Sequence, residues 1–320
     1  MKKIFKIFLG VAVFLVIALI IAKPEVYVES AFFGIKLWAI KVLPALLPFF
    51  FLTAVAIKLG VTDFIAKIFE KPCNFLFKVS GVGAFVFVMS LLSGYPIGAK
   101  MIADLSRQGV LSKDESTKIS TFCSTSGPLF IVGSVGIGMF NDKTAGFIIL
   151  ISHLLSAVLC GIIFSFYGKK ECEKRLIRQS EKSRNALYDC VYSSVISVAL
   201  VGGFVCIFCL FSDLCKNLNL LLPLENLLSP LVGQNLSSAF CYGLIECTKG
   251  CNLLATCGLS TYSLAFATAL ISFGGVSVWA QSIIFLSQAR VNLKVFCLSK
   301  TLQAIASFFI CLGLCAFIGV

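Results

Sequence analysis

Charged residues are scarce in this chain of 320 residues, since Asp, Glu, Lys and Arg together make up only 13% of it. Soluble domains contain about 25% charged residues, so the composition excludes a soluble globular enzyme. The hydrophobic share is 58% and the mean hydropathy is +0.99. These values also exclude a disordered chain, because disorder requires low hydrophobicity. The composition is that of a polytopic membrane protein.

Histidine is nearly absent, and a histidine-based metal centre is therefore not expected. We predict that the single histidine, His153, is a hydrogen-bonding partner inside an apolar helix. The sequence contains no nucleophile–histidine pair, nucleotide-binding loop or metal-ligand cluster. We therefore expect no enzymatic activity, no metal and no cofactor. The net charge of +12 is explained by basic loops on one side of a membrane and does not indicate a nucleic-acid partner.

The apolar runs lack the alternation of a β-barrel, and some are too short or too interrupted for an ordinary spanning helix. Val82–Ser93 has about twelve apolar residues, whereas a crossing helix needs roughly 17–25. It ends in Ser93-Gly94-Tyr95-Pro96-Ile97-Gly98, which predicts a re-entrant hairpin that returns through Ala99–Gly109. Ser116–Phe140 is long enough to span, but Ser124-Thr125-Ser126-Gly127-Pro128 in its middle predicts a broken helix.

The same series recurs in the second half. A short apolar piece, Leu236–Ile245, precedes the polar tip Glu246-Cys247-Thr248-Lys249-Gly250, and the span Tyr262–Gln281 is interrupted at Gly274-Gly275. Gly98 matches Gly250 at an offset of 152 residues, and Gly127 matches Gly274 at an offset of 147. We therefore predict a transmembrane anchor at 1–30, a first repeat at 31–167, a cytoplasmic basic linker at 168–186 and a second repeat at 187–320.

The distribution of basic residues predicts the orientation of these repeats. If the N-terminus and the linker are cytoplasmic, most of the 27 Lys and Arg residues lie on the cytoplasmic side. The first repeat then crosses an odd number of times, and the second is inverted. The predicted fold is an all-α polytopic membrane protein with two inverted-topology repeats, re-entrant hairpins and broken transmembrane helices, seven full spans in total. Paired broken helices in inverted repeats are typical of secondary transporters.

Four interrupted motifs resemble the YlbJ family of sporulation integral membrane proteins, namely Ser93–Lys100, Ser124–Phe130, Glu246–Gly250 and Gly274-Gly275-Val276-Ser277-Val278-Trp279-Ala280-Gln281. That family carries the nucleoside-recognition gate domain shared with concentrative nucleoside transporters and the ferrous-iron transporter FeoB. The resemblance extends from Ala31 to the C-terminus. Two positions depart from the family pattern, with Ser124 in place of Asn and Trp279 in place of His.

The resemblance implies a multi-pass membrane carrier made during endospore formation in Gram-positive bacteria. Members of this family are associated with moving dipicolinic acid out of the mother cell across the outer forespore membrane. The implied partners are the lipid bilayer and a small-molecule substrate. A homo-oligomer and a coupling ion, Na+ or H+, are left open.

We expect the hairpin tips and helix breaks to form the substrate site. Lys100 and Lys249 would bind a small dicarboxylate, aided by helix N-termini. Glu246 would bind a coupling cation, accept a hydrogen bond from the substrate or neutralise Lys249, and the neutral side chains would bind a planar ring. The candidate substrate-binding residues are Ser93, Gly94, Tyr95, Pro96, Gly98, Lys100, Ser124, Thr125, Ser126, Gly127, Glu246, Thr248, Lys249, Gly250, Gly274, Gly275, Ser277 and Gln281.

Three functions fit the sequence. The first is a carrier of a small anionic or aromatic metabolite, favoured by the helix breaks and the two lysines. The second is a nucleoside or cation carrier of the gate-domain type, which a strongly acidic site would favour. The third is a non-transporting membrane scaffold of the spore envelope, which tightly packed tips without a cavity would favour.

The charge distribution generates a topology prediction. Reporter fusions or cysteine labelling at Ser180 and Val320 should place the linker in the cytoplasm and the C-terminal end on the opposite side. Finding both positions on the same side would contradict inverted repeats.

Overall fold

The computed structural model describes residues 2–168 and 185–319, and in these residues the chain consists of helices joined by short turns, with no strand. The predicted linker lies almost wholly outside the described residues. The helices of the first half are α1 (Lys2–Ala22), α2 (Pro24–Leu37), α3 (Leu43–Lys58), α4 (Val61–Phe77), α5 (Gly81–Ser93), α6 (Ile97–Arg107), α7 (Lys113–Phe122) and α8 (Lys143–Phe164). Those of the second half are α9 (Ala186–Asn217), α10 (Leu222–Val232), α11 (Gln234–Ile245), α12 (Cys247–Thr256), α13 (Thr261–Phe273), α14 (Gly275–Gln288) and α15 (Leu293–Ile318).

Two stretches have π-helical geometry. A π turn, Trp38–Val42, joins α2 to α3 without a break, and a nine-residue π segment, Leu129–Ile137, lies between α7 and α8. The π turn comes just before Pro44, where the wider spacing relieves the clash of a proline ring with the preceding turn. The helix interruption near the N-terminus is at Lys23, so the boundary predicted at residue 30 falls inside α2.

Five helical segments of the described chain are long and apolar enough to cross a membrane, namely Pro24–Ala56, Lys143–Phe164, Ala186–Asn217, Thr261–Gln288 and Leu293–Ile318. The pair Lys67–Phe77 and Gly81–Ser93 is bent by 98° and would count as a sixth span if taken as one. The all-α membrane fold is thus confirmed.

The predicted interruptions are also present. The short helix α5 turns back into α6 around residues 94–96, and residues 123–127 between α7 and the π segment are not helical. In the second half, α11 passes into α12 at Glu246, and Gly274 separates α13 from α14 with a φ of +88°. We refer to these four places in the described chain as the helix breaks.

The order of elements repeats after residue 24. Each half has a long apolar helix, a short helix, a hairpin of two half-length helices, a broken helix and a final long helix. The final helix of each half packs against the broken helix of the other, α8 against α13 and α15 against α7. One apolar core joins α3, the π segment and α8 to helices of the second half, and another lies around α4–α7. The inverted relation of the halves stays a prediction.

The helix α4 is exposed along an apolar side, where Phe64 and Phe75 are 66% and 83% exposed. Exposed phenylalanine beside charged residues is typical of a helix in the membrane interface. The exposed side of α4 therefore has the composition of an interfacial helix.

Glycine allows backbones to approach closely at matching positions of the two hairpins. A Cβ atom added at Gly98 would lie 2.1 Å from the carbonyl oxygen of Cys123, and one added at Gly250 would lie 2.2 Å from the Cα of Gly243. Neither position accommodates a larger residue without moving the backbone.

We therefore expect Gly98→Ala to lower the thermal unfolding temperature of the purified protein and reduce its folded yield. Gly313→Ala is a matched control, because Gly313 is also helical and a Cβ there meets no atom within 4 Å. The control should be neutral or slightly stabilising, since alanine favours helix more than glycine. Equal stability of the two variants would contradict the close approach at Gly98.

Candidate functional site

The helix breaks of both halves converge. The tip of the first hairpin reaches the second, with the Tyr95 hydroxyl 3.8 Å from Cys247 Sγ. Gly94, with a φ of +77°, lies against the helix break that follows α7. A Cβ added to Gly94 would be 2.6 Å from the nitrogen of Gly127. In the second half, a Cβ at Gly275 would be 3.1 Å from the nitrogen of Cys247. The two hairpin tips therefore lie close together, beside both of the other breaks.

A small cavity lies between these tips, with a volume of about 30 Å³. We call it the central cavity. Seven of the predicted site residues line it: Gly94, Tyr95, Ser126, Gly127, Glu246, Thr248 and Gln281. The rest of the wall is Val42, Leu46, Phe130, Val201, Val205, Cys247 and Val278. A cavity of this volume is large enough to hold water, and we expect a metabolite to enter it only when the surrounding elements move apart.

Other predicted residues support the breaks without lining this cavity. Ser93 and Thr53 share a hydrogen bond of 2.6 Å between their hydroxyls, and the Thr125 hydroxyl donates to the carbonyl of Ser90 at 3.2 Å. Ser277 accepts from the side-chain amide of Gln281 at 3.4 Å. The remaining predicted residues away from the lining are Pro96, Gly98, Lys100, Ser124, Lys249, Gly250, Gly274 and Gly275.

Glu246 is the N-cap residue of α12. Its carboxylate accepts a hydrogen bond of 2.6 Å from the backbone N–H of Lys249, and its side chain is buried. A carboxylate at this position satisfies an amide that has no partner within the helix and interacts favourably with the helix dipole. This is a structural role that we did not predict.

The ion pair considered between Lys249 and Glu246 does not form. The ammonium of Lys249 instead contacts Asp213 on α9 at 2.6 Å, with both groups largely buried. Capping brings the Glu246 carboxylate to the Lys249 backbone, while the lysine side chain leaves the helix in another direction. Asp213 was missed because only the three-residue spacing of Glu246 and Lys249 is visible in the sequence.

Lys249 faces a second, larger cavity of about 620 Å³, which we call the side cavity. Asp213, Lys216 and Tyr242 also line it. The first turn of α12 therefore separates the two cavities, with Thr248 on the central side and Lys249 on the other. Lys100 lines neither of them.

His153 connects the two broken helices. Its Nε2 accepts from the backbone N–H of Ser126 at 3.0 Å, and its Nδ1 is 2.8 Å from the Ser272 hydroxyl near the end of α13. The imidazole is fully buried on α8. The predicted hydrogen-bonding role is confirmed, and its partners are the backbone of one break and a side chain beside another.

Lys300 on α15 holds the same break from the other side. Its ammonium donates to the carbonyl of Ser124 at 2.5 Å and to Gln303 Oε1 at 2.7 Å, and the side chain is 2% exposed. Trp279 plays a comparable part in the second half, donating its indole N–H to the carbonyl of Phe273 at 2.7 Å. Lys300 was not among the predicted site residues. A lysine within a long apolar span, which is costly unless functional, is the sequence signal that could have identified it.

Among the described residues, no group of three or more His, Cys, Asp or Glu side chains is placed to hold a metal ion. Polar groups at the breaks instead form hydrogen bonds with side chains of neighbouring helices, such as His153, Lys300 and Thr53.

The pairing of Lys249 with Asp213 is testable by a double-mutant cycle. Lys249→Met and Asp213→Asn should each lower the unfolding free energy, and together cost less than their sum, with a coupling of about 0.5–3 kcal/mol. The control cycle uses Lys58 at the end of α3 and Asp189 on α9, whose charged groups lie 3.8 Å apart at a more exposed position. Its coupling should be no more than about 1 kcal/mol. Additive effects at Lys249 and Asp213 would contradict the pairing.

Comparison with known proteins agrees with this geometry. A family model described as Gate, nucleoside recognition, matches residues 39–170. Among solved structures, a variant of the concentrative nucleoside transporter CNTnw in an intermediate 1 state has a TM-score of 0.53 at 15% identity. The match covers 96% of this chain and 86% of that one, and it shows a shared helical fold.

The sporulation integral membrane protein YlbJ of Bacillus subtilis (strain 168) is 30% identical to this chain. The alignment covers 90% of this chain and 77% of that protein. This likeness extends through both halves, including the helix breaks that surround the central cavity. The chain therefore belongs to the YlbJ family of sporulation integral membrane proteins.

Proposed function

We propose that this protein is a carrier that moves a small anionic or aromatic metabolite, dipicolinate, out of the mother cell across the outer forespore membrane. The observation that carries the proposal is the convergence of both hairpin tips and both broken helices on one cavity. Non-helical backbone at membrane depth is tolerated where it is buried in protein or lines a cavity. A membrane scaffold has no need of such an arrangement.

The backbone polarity of the site supports an anionic substrate. The half-helices α6, α12, α14 and the π segment all begin at the breaks, and residues at or next to their first turns line the central cavity. Helix N-termini carry partial positive charge and attract carboxylates. The opposing carbonyls of Ser124 and Phe273 already accept hydrogen bonds from Lys300 and Trp279, so they offer less negative potential.

The side chains of the cavity support a planar ring. Tyr95 and Phe130 provide aromatic surface, while Gln281, Thr248 and Ser126 provide neutral hydrogen-bonding groups. We propose that the two halves are inverted repeats and that movement of one hairpin opens the central cavity toward the side cavity. The substrate passes through without chemical change.

A neutral nucleoside is the second candidate substrate, and a specific observation favours it. The single ionisable carboxylate of the central lining is Glu246, whereas Lys100 and Lys249 lie outside that lining. Carboxylate and amide groups suit the hydroxyl and base donors of a nucleoside. The gate-domain match points in the same direction.

Transport by purified protein separates these candidates. Liposomes loaded with Tb3+ become luminescent when dipicolinate enters and binds the metal. We expect dipicolinate uptake by the wild type and a loss of about tenfold or more in Gln281→Leu, since each hydrogen bond to a charged group is worth about 1.5–3 kcal/mol. Tyr95→Phe should reduce uptake less, because its ring is retained.

Lys100→Met is the matched control, since Lys100 lines neither cavity, and its uptake should equal that of the wild type. Absence of dipicolinate uptake by folded wild-type protein would contradict dipicolinate as the substrate. Uptake of nucleosides by the same protein in place of dipicolinate would establish the second candidate.

A further inference from the structure

The carbonyl of Ser124 faces a positively charged group that is part of the protein. Ser124 belongs to the non-helical residues that follow α7. Its carbonyl therefore lies near a helix C-terminus, where the helix dipole is negative. Lys300 places its ammonium 2.5 Å from this oxygen and 2.7 Å from Gln303 Oε1. Both acceptors are neutral oxygens, the kind of ligand that alkali cations bind in broken membrane helices.

Broken helices in secondary transporters commonly use such carbonyl groups to coordinate a coupling ion. We propose that the Lys300 ammonium is a resident cation at this break, in the place of a mobile one, so that the protein binds and moves its substrate without Na+. The absence of Na+ from the transport cycle rests on the proposed function, whereas the occupation of the break by Lys300 does not.

The other breaks of the described chain support this proposal, because at each of them a carbonyl at the end of the preceding helix accepts a hydrogen bond from the protein. Phe273 accepts from the indole of Trp279. In the hairpins, the carbonyls of Ser90 and Tyr242 accept from backbone N–H groups at 2.8 and 3.1 Å. The acidic group of the region, Glu246, has its carboxylate engaged by the start of α12.

The buried position of Lys300 and its long side chain allow its ammonium to take the place of a bound ion. A buried charge is costly unless it is paired with well-placed polar groups, and here its partners are the two oxygens that a bound ion would use. The ammonium is anchored to α15, which packs on both α7 and α13. The charge therefore cannot leave the break, as a coupling ion must do in each transport cycle.

Thermal unfolding in nanodiscs tests the cation site directly. The unfolding temperature of the wild type should be the same within about 1 °C in NaCl and in choline chloride of equal ionic strength. A saturable, Na+-specific rise would overturn the proposal. This measurement does not depend on transport, so it remains decisive even if the proposed function fails.

Variants of Lys300 sharpen the test. Lys300→Ala should lower the unfolding temperature by about 5 °C and leave a carbonyl-lined space, so Na+ or Li+ should recover part of the loss while choline does not. Lys300→Met fills that space without a charge and should show the loss without recovery. Lys294→Ala is the control, since Lys294 is an exposed lysine on the same helix and should behave as the wild type.

Equal recovery of Lys300→Ala by Na+ and choline would overturn the proposal. If that variant fails to fold, the wild type still decides the question through uptake into liposomes with and without a Na+ gradient. Equal rates support a resident cation, and a rate that requires Na+ overturns it.

Discussion

The structure depends on satisfying backbone groups where helices are broken inside an apolar molecule. Lipid supplies no hydrogen bonds, so each exposed carbonyl or amide must find a partner within the protein. At the α7 break the partners are His153 for the amide of Ser126 and Lys300 for the carbonyl of Ser124. These side chains hold a conformation that would otherwise be unstable, and that conformation creates the cavity.

These partners tie the two halves into one unit. His153 comes from the last helix of the first half and also contacts Ser272 in the second, while Lys300 comes from the last helix of the second half and reaches back to Ser124. A half alone would leave buried polar groups without partners, each worth about 1–3 kcal/mol or more when charged. These contacts, together with an apolar core that includes residues of both halves, join the two halves despite their similar order of elements.

The helices and breaks could be predicted from the sequence because their causes are local. Span length, Gly94, Pro96, Pro128 and the Gly274–Gly275 pair identify places where a helix cannot continue. The partners could not be predicted, because they are separated by many residues along the chain. Spacing alone pairs Lys249 with Glu246, whereas N-capping sends the two charged groups to different neighbours. For the same reason the contact of Lys300 with Ser124 could not be predicted.

The charged residues near the central cavity mainly stabilise the fold. Glu246 caps a helix, Lys249 pairs with Asp213, and Lys300 holds a broken helix. Because these charges are already engaged, the proposed function assigns discrimination between substrates to the groups that remain available in the central cavity, namely helix N-termini, the Gln281 amide and aromatic faces. Such groups keep a fixed polarity without the desolvation cost of a free charge in an apolar interior. Under the proposed function, a site of this kind recognises a small polar molecule by shape and hydrogen bonding, with the backbone supplying the polarity.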